Sequence, residues 1–237
     1  MNMKDFILDT AEEEYLETND CRIRETLKIL DLKPEQKVLD VGCYSGLFSA
    51  MVMEKFPGVD LVAVEIDDER ISMAKTRGIK VFKTDFEKDN LLFADNYFDA
   101  VLFLETIEHL ANPLKILAEI RRVVKPGGEV IISTPNSVGL FARYSHLRGV
   151  APFYIPFLRS DNIQRGHKNV YSYHRFELNL RQAMDLFVEN GYIVKQIKMT
   201  RFNHLHRGWL IKLIERLSLL KTSWSDIMIF KCAVEKR

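Results

Sequence analysis

The feature that most constrains the fold is a regular alternation of short apolar segments with longer amphipathic stretches. Lys125-Pro-Gly-Gly128 ends one of these stretches, as Pro and Gly typically end a helix. Buried strands that alternate with helices are typical of a parallel sheet covered by helices on both faces. The sequence therefore predicts an α/β fold, with strands at 37–41, 61–65, 79–82, 98–104 and 129–133.

The alternation is interrupted after Ser133. Residues 137–170 lack periodicity and carry aromatic among basic residues, which indicates an insertion on the substrate side of one domain spanning 1–237. An amphipathic segment precedes the first strand, so we expect residues 1–33 to form a helical cap. The alternation then resumes, and predicts a helix at 178–190, a strand at 192–199, a helix at 209–220 and a last strand at 226–234.

Composition excludes several classes of protein. The balance of 34 Lys and Arg against 33 Asp and Glu gives a net charge of +1, which argues against a dedicated nucleic-acid binder. The 3 cysteines form no Cys-x-x-Cys pair, so neither a zinc ribbon nor a disulfide framework is indicated. No apolar run approaches the roughly 18 residues of a membrane span, and the first residues lack a signal-peptide pattern. We therefore expect a cytoplasmic protein.

The turn after the first predicted strand is the first place to look for a ligand, because open parallel sheets bind ligands at the carboxyl ends of their strands. It reads Val38-Leu-Asp-Val-Gly-Cys-Tyr-Ser-Gly46. Gly42 permits a tight turn, and Gly46 lets the next helix begin close to a ligand. Glu65 ends the second strand, where a carboxylate can accept both hydroxyls of a ribose. The pattern favours a nucleoside-containing ligand.

The charge at this turn discriminates between nucleosides. A nicotinamide dinucleotide needs Gly-x-Gly-x-x-Gly for its pyrophosphate, but Tyr44 stands in the place of the second glycine. Asp40 would repel a pyrophosphate, whereas it suits an ammonium or sulfonium group. S-adenosylmethionine carries both groups, a ribose and no phosphate, so we expect it to be the cofactor.

The motifs together carry a family resemblance. VLDVGCYSG resembles the first motif of the class I S-adenosylmethionine-dependent methyltransferases, VAVEID resembles their second, and KTDF at 83–86 resembles their adenine-binding motif. FDAVLFLETIEHL and VVKPGGEVIISTPN complete the set, in order from about 36 to 136 and less strongly to 191. The resemblance implies a Rossmann-like, doubly wound sheet of seven strands in the order 3-2-1-4-5-7-6, with the last strand antiparallel.

The same resemblance assigns roles within the cofactor site. It implies that Glu65 binds the ribose, that Asp85 binds the adenine amine and that Phe86 flanks the ring. Taken singly, each feature has a structural explanation; Asp85, for example, could cap the segment that follows it. The expected cofactor-binding residues are Asp40, Gly42, Tyr44, Gly46, Glu65, Ile66, Asp85, Phe86 and Glu105.

Acidic residues and a histidine follow the fourth strand. In a helix, Glu105, Glu108 and His109 would share one face, and His174 follows the insertion. Such groups can hold a divalent metal, or leave His109 or His174 as the catalytic base. The pattern resembles the small-RNA 2′-O-methyltransferases, whose two Glu and two His hold a metal, and the O-methyltransferases of quinone biosynthesis. Without a metal, His109 would anchor its segment and His174 would pack on the sheet. The predicted metal ligands are Glu105, Glu108, His109 and His174.

Three functional hypotheses follow. The leading one is an enzyme that methylates an oxygen of a small or lipid-linked acceptor, which basic residues in 141–168 and 195–221 predict to be anionic. Aromatic residues among them favour peripheral membrane contact, although the 209–220 helix could instead pack in the core. The second is a metal-dependent RNA 2′-O-methyltransferase, and the third is a non-catalytic scaffold that binds the cofactor.

Overall fold

The computed structural model describes residues 3–7, 10–147, 149, 174–201 and 224–235. Its strands are β1 (Lys37–Val41), β2 (Asp60–Glu65), β3 (Lys80–Lys83), β4 (Phe98–Leu104), β5 (Val124–Pro135), β6 (Tyr192–Thr200) and β7 (Ile227–Val234). Its α-helices are α1 (Thr10–Ile29), α2 (Leu47–Lys55), α3 (Asp68–Thr76), α4 (Pro113–Val123), α5 (Leu140–Leu147) and α6 (Leu180–Glu189). Short 3₁₀ helices lie at Met3–Phe6 and Ile107–His109.

The strands form one sheet in the order β3-β2-β1-β4-β5-β7-β6. Strands β1 to β5 pair in parallel, and β7 runs antiparallel to both of its neighbours. The predicted order and the reversed last strand are confirmed. The chain crosses from β3 to β4 on the other side of β1, so the strand order reverses between β1 and β4, where a doubly wound sheet opens a ligand cleft.

Strand β4 shows why helices cover both faces of the sheet. Val101 and Phe103 belong to the apolar cluster that includes residues of α4 and α6. Ala100 and Leu102 belong to the cluster on the opposite face, which includes residues of α1, α2 and α3. Side chains alternate across a strand, so a continuous apolar strand needs cover on both sides.

Two predictions reach beyond the described residues. The helix expected at 209–220 lies outside them, as does most of the 137–170 insertion apart from α5. Helix α1 precedes the first strand, whereas the role of residues 1–33 as a cap and the assignment of 1–237 to a single domain stay predictions. Within the described part of the chain, the helices are all too short or too polar to span a bilayer.

Candidate active site at the carboxyl ends of the strands

A cavity of about 390 Å³ opens where β1, β2 and β4 end. Asp40, Glu65 and Asp85 all line it, as the cofactor hypothesis requires. Gly46 is the one predicted cofactor residue that does not. The predicted residues that do line the cavity are Asp40, Gly42, Tyr44, Glu65, Ile66, Asp85, Phe86 and Glu105.

The two glycines of the β1–α2 turn are needed for different reasons. Gly42 has a φ of 78°, and a Cβ atom there would lie 2.7 Å from Thr106 Oγ1. Gly46 has a φ of 75°, and a Cβ atom there would lie 2.8 Å from Ala74 Cβ and 2.7 Å from Ile79 Cδ1. Close packing against α3 and its C-terminal turn, rather than the approach of a ligand, therefore accounts for Gly46.

Glu65 holds the turn after β1 against the turn after β2. Its Oε2 accepts the Tyr44 N–H at 2.9 Å, and its Oε1 accepts the N–H groups of Ile66 at 2.8 Å and Asp67 at 3.2 Å. A carboxylate offers about four acceptor positions, so about one remains. In this arrangement Glu65 can accept one ribose hydroxyl, rather than the two expected from the sequence.

Asp40 forms the floor of the cleft and is 3% exposed. The Ser49 hydroxyl donates a hydrogen bond to its Oδ2. Burial raises the pKa of Asp40 from 3.8 to about 6, and the charge of Glu65 acts in the same direction. At neutral pH the group is therefore ionised at a cost in free energy, which a bound cation would reduce.

Asp85 also lines the cleft, and it is followed in the chain by the buried Phe86, which lines the same cavity. Its carboxylate accepts the Glu87 N–H at 3.2 Å and pairs with Lys88 at 2.8 Å. Partial burial alone would raise the pKa of Asp85, but Lys88 and the backbone N–H groups outweigh it and lower the pKa. Asp85 therefore both stabilises its own turn and presents a negative charge to the cleft.

Helix α1 supplies two cleft residues that the sequence reasoning missed, Tyr15 and Arg22. Arg22 is 1% exposed, and its guanidinium donates to the Tyr15 hydroxyl and to Asn19 Oδ1. Burial alone would lower the pKa of Arg22, but Tyr15 and Glu105 raise it above its ordinary value. The sequence signal for Arg22 is an arginine on the buried face of an amphipathic helix. This signal can be recognised only once the structure shows which face of α1 is buried.

Glu105 and Glu108 are not on one helical face. Glu105 has a φ of 48°, and only Ile107–His109 form a turn of 3₁₀ helix. The Glu105 N–H donates to the Ser133 carbonyl at 3.0 Å, and the Ser133 hydroxyl donates to Glu105 Oε1 at 2.7 Å. These bonds hold Glu105 in the wall of the cleft, so that Glu105 is not part of the 3₁₀ turn that follows it.

Glu108, His109 and His174 form a separate group whose candidate ligand atoms lie within 4.8 Å of one another. Glu108 is 1% exposed, and one of its oxygens accepts from Thr134 Oγ1 at 3.3 Å. Its other oxygen, Oε1, is buried without a hydrogen-bond partner among the described residues. Burial raises the pKa of Glu108 well above its ordinary value, and the charge of Glu105 adds to the shift. An ionised Glu108 therefore requires a cation nearby.

The backbone brings His174 to this group from a distant part of the chain. The Arg175 N–H donates to the Glu108 carbonyl at 2.7 Å, and the two imidazole rings lie edge to face at 5.0 Å. His174 Nδ1 also lies 3.5 Å from Glu177 Oε1, a neighbour that the sequence reasoning did not include. Of the four predicted metal ligands, Glu105 lies outside the group.

Comparison with known proteins identifies the family. A family model described as a methyltransferase domain matches residues 14–189. The chain therefore belongs to the methyltransferase domain family, and the resemblance to S-adenosylmethionine-dependent methyltransferases is confirmed. It is 34% identical over 106 residues to a ubiquinone biosynthesis O-methyltransferase from Dechloromonas aromatica, with 43% of this chain and 45% of the relative covered.

The name of a second relative gives a different acceptor. Phosphoethanolamine N-methyltransferase 3 from Arabidopsis thaliana is 34% identical over 114 residues, covering 46% of this chain and 23% of the relative. The aligned segments thus span less than half the length of either relative. Neither match by itself assigns an acceptor to this chain.

Solved structures confirm the fold. A methyltransferase in complex with the Haloferax volcanii Trm112 methyltransferase activator superposes with a TM-score of 0.68 at 15% identity, covering 95% of this chain and 92% of that one. An S-adenosylmethionine-dependent methyltransferase from Thermotoga maritima gives a TM-score of 0.63 at 20% identity, covering 95% of both chains.

The raised pKa of Asp40 makes a prediction about stability. A folded protein that binds this proton more tightly than the unfolded chain loses stability as the pH rises from about 4 to above 6. Asp40→Asn removes that loss, so at pH 8 the variant should be more stable than wild type by up to about 3 kcal/mol. The difference should vanish below pH 4. Urea denaturation between pH 3 and 8 measures it, with the exposed Asp31→Asn as the control. Identical pH profiles for wild type and Asp40→Asn would contradict the assignment.

Proposed function

We propose that the protein uses S-adenosylmethionine to methylate an oxygen atom of a small or lipid-linked acceptor. The observation that carries the proposal is the charge arrangement of the cleft, in which the carboxylates of Asp40 and Glu65 lie in one cavity with the buried guanidinium of Arg22. S-adenosylmethionine has two positive groups and one carboxylate, and this cleft offers a partner of opposite sign for each kind of charge.

Each part of the cofactor then has a proposed partner. Asp40 attracts the ammonium and sulfonium groups, and Arg22 pairs with the methionine carboxylate. Glu65 accepts a ribose hydroxyl, and Asp85 accepts the adenine amine. Phe86 is buried and lines the same cavity, and its ring is proposed to cover the adenine.

The acceptor chemistry is assigned to Glu108, His109 and His174. Methyl transfer is an in-line displacement, so the protein must mainly align the nucleophile and exclude water. A hydroxyl acceptor additionally has to lose its proton, whereas an amine needs only to arrive unprotonated. An imidazole of His109 or His174 can take that proton, and His109 also lines the cofactor cavity.

As the alternative to a catalytic base, the same three residues are proposed to hold a divalent metal. One carboxylate and two imidazoles are a common ligand set for such ions, and Glu108 Oε1, which has no hydrogen-bond partner among the described residues, can serve as one ligand atom. When bound, the ion would lower the pKa of the acceptor hydroxyl. The chain's own part is to hold the three ligands together through the bond from the Arg175 N–H to the Glu108 carbonyl.

This group favours oxygen over nitrogen as the acceptor. The curated relatives include both O- and N-methyltransferases at the same identity, so they do not decide between the two atoms. A base or metal beside the cleft is useful for a hydroxyl and unnecessary for an amine. The proposed anionic acceptor and membrane contact depend largely on 141–168 and 209–220, which lie mostly outside the described residues.

The group of Glu108, His109 and His174 also supports the RNA 2′-O-methyltransferase hypothesis, because a ribose hydroxyl is an oxygen acceptor too. A turnover screen of phenols, sugars, lipids and RNA, with and without chelator, separates these hypotheses. Turnover of RNA alone, with a steep salt dependence, would favour the RNA reading. Cofactor binding with no turnover of any class would favour the scaffold.

The cofactor assignment predicts the outcome of a titration. Calorimetry should show binding of S-adenosylmethionine, and weaker or no binding of NAD. Arg22→Met keeps the approximate length of the side chain and removes its charge, so it should weaken S-adenosylmethionine binding about tenfold or more. The matched control is Arg24→Met, which changes an exposed arginine of the same helix and should leave the affinity unchanged. Tighter binding of NAD, or an unchanged affinity in Arg22→Met, would refute the assignment.

The metal assignment predicts a binding measurement that does not depend on turnover. Titration with Mg²⁺, Mn²⁺ or Zn²⁺ should show one site, and Glu108→Gln should weaken it about tenfold or more because a ligand charge is lost. Glu105→Gln is the informative companion, since Glu105 lies outside the group and acts on it only through its charge, so this variant should change the metal affinity much less than Glu108→Gln does. A metal affinity that depends on Glu105 and not on Glu108 would show that the ligand set is wrong.

A further inference from the structure

Tyr44 has an unusual position for so large a side chain. Its φ of 53° lies in the left-handed region, which glycine adopts far more readily than tyrosine. Its side chain is 46% exposed, so burial in the core does not compensate for that conformation. The contacts of the ring must therefore be sought at the cleft, which Tyr44 lines.

The ring of Tyr44 contacts two other residues of the cleft. The Tyr15 ring stacks with it, with centroids 6.1 Å apart and planes 9° apart. The Arg70 guanidinium lies 4.2 Å from the Tyr44 ring centroid, a cation–π contact. These residues come from α1, from the β1–α2 turn and from α3, so the contacts join three elements around the cavity.

These side chains lie at the rim of the cavity rather than at its floor. All three line the cavity, yet Tyr15 and Tyr44 keep more than a third of their surface in solvent. By contrast, Asp40 and Glu65 line the same cavity and are buried. The stack of Tyr15, Tyr44 and Arg70 therefore stands between the buried cofactor-binding groups and solvent.

One side of this stack is anchored. Glu12 and Arg77 form a buried ion pair, with side chains 3% and 6% exposed. Arg77 also donates to the Ser45 carbonyl at 2.7 Å, and the Ser45 hydroxyl donates to Glu12. Tyr15 lies one helical turn after Glu12, and its hydroxyl accepts a hydrogen bond from the buried Arg22. Rotation of the half-exposed Tyr44 and of Arg70 can therefore open the rim without moving α1.

We propose that Tyr44 is a gate that sets the rate at which the cofactor enters and leaves the cleft, with Tyr15 as its fixed support and Arg70 as its latch. The inference rests on the proposed binding of S-adenosylmethionine. Because the stack consists of contacts between protein groups, closing it slows movement in both directions. The gate thus governs rates rather than affinity, and release of the spent cofactor is a step that commonly limits turnover.

Substitution of Tyr44 gives a kinetic signature. Tyr44→Gly removes the ring and suits the left-handed backbone, so the variant should fold at least as well as wild type. Surface plasmon resonance with S-adenosylmethionine should show both the association and the dissociation rate constants rising about tenfold. The dissociation constant should change much less than either rate constant, because glycine keeps the backbone N–H through which residue 44 contacts Glu65. Tyr44→Phe keeps the ring and should restore slow exchange. Arg70→Met should give a smaller acceleration of both rates.

A matched control separates the ring from the backbone. Glu35 is exposed and also has a positive φ, 69°, so Glu35→Gly makes the same backbone change away from the cleft and should leave both rate constants unchanged. Rate constants of Tyr44→Gly within twofold of wild type, or a rise in dissociation alone, would overturn the gate while leaving cofactor binding intact. If wild type binds no S-adenosylmethionine, the proposed function fails and the gate fails with it.

Discussion

The cleft depends on one buried carboxylate, that of Glu65. It accepts backbone N–H groups from the turn after β1 and from the turn after β2, and so joins the two turns beyond the last paired residues of the strands. The parallel register of the two strands, with Val41 opposite Val64, brings these loops to the same level. Without that carboxylate, the N–H groups of Tyr44 and Ile66 would lose their acceptor, and the cleft would lose its shape together with its charge.

The other charged groups of the cleft, those of Asp40 and Arg22, are arranged for ligand binding rather than for the stability of the fold. Asp40 is buried, and its burial together with the charge of Glu65 raises the pKa of Asp40. Arg22 enters from α1, so the cap and the sheet both contribute to a single electrostatic site. A protein selected only for stability would not bury these groups together. Recognition of a ligand with charges of both signs gives a physical reason for the arrangement.

Much of the sheet and the cofactor wall could be predicted from the sequence because both follow local rules. Apolar strands, turn glycines and acidic strand ends lie next to one another in the chain, and their spacing is sufficient to place Asp40, Glu65 and Asp85. The cap residues Tyr15 and Arg22 could not be predicted, because their role depends on how α1 packs across the sheet. The role of Glu177 could not be predicted either, because its position depends on the chain folding back to Glu108 after the insertion.

Predictions from local sequence rules failed at two positions. Helical spacing grouped Glu105 with Glu108, but the left-handed backbone at Glu105 and its bonds to Ser133 place the two in different environments. Gly46 was expected to admit a ligand, yet tertiary contact with Ala74 and Ile79 explains it. In both cases a contact between distant residues determined the outcome, and sequence spacing carries no information about such contacts.

The central claim is that a buried negative floor recognises a positively charged methyl donor. Carbon-13 NMR titration of the Asp40 carboxyl group, with and without saturating S-adenosylmethionine, tests it most directly. The account predicts a pKa near 6 in the free protein and a lower value in the complex, because the bound cation stabilises the ionised form. A pKa that stays unchanged or rises on binding would contradict it.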